Sequence, residues 1–104
     1  MEKIEYLISM KGEPGSIARK VEKFPEIFRI IEGSKEYSLV HKDGSARVYH
    51  TENSTVAVEI GVFRTSGKVT IHSRDARELR KTGDRLIGML EGEYKIEKVV
   101  REFN

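Results

Sequence analysis

Residues 62–81 read VFRTSGKVTIHSRDARELRK. Alternating apolar residues stand on either side of a Ser-Gly pair, so the stretch reads as two strands joined by a turn at 64–67. In the second strand Val69 and Ile71 are expected inward, with Lys68, Thr70 and His72 outward. The same strand runs into a helix expected to start at Asp75, where Glu78 takes the capping-box position. The apolar stripe of that helix is Ala76, Leu79, Gly83, Leu86, Ile87 and Leu90, and Arg74, Arg77, Lys81 and Arg85 lie opposite. Gly83 on the stripe costs about 1 kcal/mol of helix propensity, which close approach to a sheet offsets.

Working outward, 55–63 (TVAVEIGVF) places Val56, Val58, Ile60 and Val62 inward and Thr55, Ala57, Glu59, Gly61 and Phe63 outward. In 35–51 (KEYSLVHKDGSARVYHT), Asp43-Gly44 between two alternating runs signals a hairpin. That turn puts Tyr37, Leu39, His41, Ala46, Val48 and His50 on one face and Val40, Lys42, Arg47 and Tyr49 on the other. Residues 26–33 (EIFRIIEG) are expected to form a strand. Ile17, Ala18, Val21 and Phe24 give a helix capped by Ser16 and stopped by Pro25. KIEYLISM at 3–10 is a strand burying Ile4, Tyr6 and Ile8. The segment 93–104 (EYKIEKVVREFN) has Ile96, Val99, Val100 and Phe103 at helical spacing and is expected to be a short third helix. The expected architecture is a single α+β domain: an antiparallel sheet of five to six strands with two to three helices on one face, in the order β-α-β-β-β-β-β-α-(α).

The 104 residues are 38% hydrophobic and 35% charged, which implies one domain with a thin core. With no cysteine, neither a disulfide framework nor a thiolate metal site can form. No apolar run approaches a membrane span, and the charged, alternating N-terminus does not read as a signal peptide; a cytoplasmic protein is expected, with no membrane partner. The absence of Gln and Trp, with only two Asn and abundant Lys and Glu, resembles the composition of hyperthermophile proteins. Net charge is +2, yet residues 64–85 hold seven basic residues against three acidic ones, a local field that attracts phosphate.

Chemistry-bearing patterns are sparse. Gly12 and Gly15 in KGEPGS precede a helix, but no Lys-Ser/Thr pair follows to make a phosphate loop. His41 and His50 are expected at opposite ends of one hairpin face, too far apart to share a metal. No nucleophile, base and orienting acid fall together, so no catalytic residue, metal or cofactor is expected. The outward sheet face is the remaining constellation. It gathers Lys42, Arg47, Tyr49, Phe63, Lys68, Thr70 and His72, with Arg29 near, and Arg74 and Arg77 follow in the chain. Cations interleaved with rings suit a nucleic acid: Arg47, Lys68, Arg74 and Arg77 meet phosphate, while Tyr49 and Phe63 stack on bases. The alternative is a protein–protein or self-association surface, with a homodimer as the simplest form.

FPEIFRII (24–31) and VFRTSGKVTIHS (62–73) resemble two motifs of a half-repeat of the TATA-binding protein, a Phe-Pro strand and a Phe-Ser-Ser-Gly-Lys hairpin followed by a strand and a long helix. The resemblance extends to small archaeal domains of half-saddle shape. It implies that Phe24 and Phe63 stand where that family wedges rings between base steps of the minor groove, and that a full saddle requires two copies. This chain differs in its extra hairpin at 35–50, in one more residue between Phe63 and Gly67, and in a charged outward face.

Overall fold

The computed structural model describes residues 2–11 and 17–99. The elements in chain order are β1 (Glu2–Met10), α1 (Ile17–Lys23), α2 (Glu26–Glu32), β2 (Ser38–Asp43), β3 (Ala46–His50), β4 (Ser54–Ile60), β5 (Ser66–Ser73), α3 (Ala76–Leu90) and β6 (Tyr94–Val99). The fold class is α+β as expected. Six strands form one antiparallel sheet in the order β2-β3-β4-β5-β1-β6, and the helices pack on one of its faces.

The core lies between that face and the helices. Period-two alternation selects Val56, Val58 and Ile60 from β4, Val69 and Ile71 from β5, and Tyr6 and Ile8 from β1. From α3 come Leu79, Leu86 and Leu90, with Thr82 and Gly83 on the same stripe. Gly83 sits where α3 crosses β1: a Cβ built there would lie 2.5 Å from the Tyr6 Oη. The missing side chain is therefore what permits the close approach. Asp75 caps α3, its carboxylate accepting from the Glu78 amide at 2.8 Å. Glu78 does not return the bond to complete a capping box; its side chain accepts from Asn53 Nδ2 instead.

Two segments take the other kind of structure from that expected. Residues 26–32 are helical, not a strand. Ile27, Phe28 and Ile31 are the buried residues, a helical spacing; α1 stops at Lys23, just before Pro25 as expected, and Pro25 in αR conformation is then the N-cap of α2. Residues 94–99 form an edge strand, not a helix. Tyr94 and Ile96 alternate with Lys95 and Glu97, and the free edge of β1 supplies their ladder. The end of the expected third helix, 100–104, lies outside the described residues, as does the 12–16 turn.

The β4–β5 turn also moves. The strand ends at Ile60, Ser66-Gly67 belong to β5, and 61–65 make the loop. Val62, expected inward, is 95% exposed as a result.

Candidate interaction surface

Among the described residues no helix lies on the other face of the sheet, and the strand register arranges that face in rows. Across β3, β4, β5 and β1 the first row is His50, Thr55, His72 and Lys3. The next is Val48, Ala57, Thr70 and Glu5, continued by Val99 on β6. The third is Ala46, Glu59, Lys68 and Leu7, continued by Glu97. Lys3, Lys68 and Lys95 stand on this face among Glu5, Asp43, Glu59 and Glu97, so it carries no excess of cations. Lys3 already pairs with Glu5 at 3.6 Å.

Two of the expected site residues are elsewhere. Arg47 pairs with Val58 and Tyr49 with Val56 in the ladder, so both point toward the helices rather than outward. Tyr49 is fully buried and meets Tyr37 edge-on, with ring centroids 6.4 Å apart. Its hydroxyl donates to Glu32 at 2.8 Å. Arg47 lies 4.1 Å over the Phe28 ring and pairs with the same carboxylate. Tyr49 buries far more apolar area than Val48 would, and Glu32 meets the charge that comes with it. Partial burial pushes the Glu32 carboxyl up, but bonds from Tyr49 and Arg47 and the guanidinium charge together hold it below its ordinary value. Burial and the bond to Glu32 push the Tyr49 phenol well above its own.

The hairpin turn explains part of this arrangement. Asp43 pairs with Ala46, so the two-residue turn is Gly44-Ser45, one position later than Asp43-Gly44. Gly44 has φ +57° while Ser45 does not, the type II′ pattern. The register then shifts between Leu39 and His41, so Leu39 faces the helix side with Tyr49 while His41 pairs with Val48 on the open face.

The other five expected residues follow β5. Phe63 stands in the β4–β5 loop, 83% exposed, beside Arg64, a non-glycine residue with φ +57°. Lys68 faces Glu59 across the ladder, and His72 lies between Thr55 and Lys3. Arg74 follows the strand, and Arg77 is in the first turn of α3; both are exposed and form no ion pair among the described residues. Phe24, which the TATA-binding-protein resemblance assigns to a base step, is fully buried in the core against Tyr94. Arg29 is on α2, on the helix side.

The strand β2 was expected as half of the hairpin, but its outer edge was not expected as a site. All six of its residues are exposed, among them Leu39 at 42% and Val40 at 50%, and among the described residues no strand lies on its outer side. The signal was present: SLV breaks an otherwise charged segment. Among the described residues no group of three metal-binding side chains comes together, and no helix is long and apolar enough to cross a membrane.

No protein-family model matches the chain, and no curated protein matches its sequence.

Proposed function

We propose that this chain is a non-catalytic interaction module that pairs with a second copy of itself along the free edge of β2. The observation that carries the reading is the exposed apolar pair Leu39-Val40 on an unpaired edge strand. An edge strand offers a row of backbone donors and acceptors, and an antiparallel copy of the same strand is its complement. The opposite edge carries Lys95, Glu97 and Lys98 along its length, charges that discourage such pairing, whereas those of β2 are Lys42 and Asp43 at its turn end. Across a two-fold axis, four half-exposed side chains contribute about 4 kcal/mol. Ladder bonds add about 1 kcal/mol each. Against an association cost of about 4–15 kcal/mol, this gives a weak dimer that forms as concentration rises. The polar contacts inside the molecule, Glu32 with Tyr49 and Arg47 and Ser54 with Thr82, serve to join elements.

Light scattering over a concentration series tests the proposal. The chain is expected to move from monomer to dimer mass, and Leu39→Lys with Val40→Lys is expected to hold it monomeric while its thermal unfolding stays cooperative. A wild-type mass that stays monomeric throughout rejects it.

A second reading rests on a separate observation. Lys68, Thr70 and His72 recur at two-residue spacing along β5, about 6.6 Å apart, and lead to Arg74 and Arg77. That spacing suits the phosphates of an extended single strand, with Phe63 at one end as a stacking ring. Binding of a single-stranded oligonucleotide should then fall steeply with salt, and Arg74→Ala with Arg77→Ala should lower the slope by about 1.4. Duplex DNA, which the resemblance implies, is the comparison. Binding that ignores salt, or a slope the double variant leaves unchanged, removes this reading.

A further inference from the structure

We infer that His50, Thr55, His72 and Arg74 form a binding site for a phosphate group. The register sets His50, Thr55 and His72 side by side on three adjacent strands, on the face that no helix covers. They and Arg74 line a cleft of about 330 Å³ whose far wall is the 51–54 turn. That wall is fixed by its own bonds. Thr51 Oγ1 donates to the Ser54 carbonyl and accepts from the Ser54 amide at 3.1 Å, and Ser73 Oγ donates to the Asn53 carbonyl at 2.9 Å.

The spacing fits the ligand. Two strand intervals place the histidine backbones about 10 Å apart. A phosphate held between two imidazole N–H groups needs about 8 Å between the nitrogens. Thr55 stands between the two histidines in the row, and Arg74 lines the same cleft. A planar guanidinium suits two phosphate oxygens at once.

The charged groups around the histidines are few. Lys3 comes from β1 beside His72, and Glu5 pairs with that lysine. From β2, Ser38 lies opposite His50, and His41 stands on the row beyond. Glu52 is the acid lining the cleft. Asp75, next to Arg74, is engaged as the cap of α3. Lys3 and Arg74 add to the attraction for an anion and Glu52 opposes it.

The test follows the imidazole proton resonances of the full chain during titration with inorganic phosphate at constant pH. Saturable shifts of His50 and His72 that exceed those of His41 are expected. His72→Asn and Arg74→Ala should each weaken binding about fivefold or more with the amide spectrum retained. A phosphodiester oligonucleotide forms the second arm. Competition between it and inorganic phosphate for the same ring shifts assigns the site to a nucleic-acid backbone; shifts with inorganic phosphate alone assign it to a free phosphate or monoester. Rings that stay unmoved by both ligands, or three histidines that respond alike, overturn the inference. Leu39→Lys should leave the shifts unchanged, so this site and pairing at β2 fail independently.

Discussion

At the scale of single residues, Glu32 joins the two layers. It is the carboxylate on α2 that both Tyr49 and Arg47 of β3 reach. Its carboxyl is held below the ordinary value of 4.5, so its contribution to stability is present above that pH and is lost as pH falls through the lower folded-state value. Glu32→Gln should therefore be less stable than wild type near neutral pH, and the gap should close in urea titrations run at pH values well below 4.5. A gap that is constant down the acid limb would mean that shape, not charge, is what Glu32 supplies. This cluster was only partly legible in the sequence. Arg47 and Tyr49 were correctly placed on one face of the hairpin, but nothing local says which face of a hairpin meets the helices. The tertiary partner Glu32 decides it, and that residue lay in a segment expected to be a strand.

At the scale of elements, what was legible depended on how local the cause is. The strands β1, β4 and β5 follow from alternation, and α3 from its stripe and the Asp75 cap, because each pattern is satisfied by its own residues. Segment 26–32 carries apolar residues in a short run that fits either period; the helical face Ile27, Phe28 and Ile31 prevails because it closes over the core with Phe24. Segment 94–99 also fits both, and the edge of β1, which lies far away in the chain with Met10 opposite Tyr94, selects the strand. The hairpin turned on one position: Gly-Ser, not Asp-Gly, supplies the turn. The contact of α3 with β1 allows a quantitative check. Gly83→Ala should destabilise by about 1–3 kcal/mol, since its Cβ meets the Tyr6 hydroxyl. Combined with Tyr6→Phe, the same substitution leaves the ring carbon at an ordinary 3.5 Å and should become neutral or stabilising by up to about 1 kcal/mol. Thermal melts of the four proteins give the coupling; additive effects would show that α3 does not sit this close to β1.

At the scale of the whole molecule, the helices cover one face of the sheet through α3 on β5, β1 and β4, and β2 is left at the margin with every residue exposed. The other face mixes small residues with balanced charges, among them the buried Glu5, which Lys3 meets at 3.6 Å. At one end of it β3, β4 and β5 bring His50, His72 and Arg74 to the cleft. The apolar margin at β2 and the basic end are separate features, and the first carries the proposed function. Backbone amide exchange of Ser38–Asp43, followed as protein concentration rises, tests it most directly. The account predicts that protection appears in β2 amides in step with the dimer mass and is absent in Leu39→Lys. Protection that rises instead at Val48, Ala57 and Thr70, or a β2 that exchanges freely at every concentration, would contradict it.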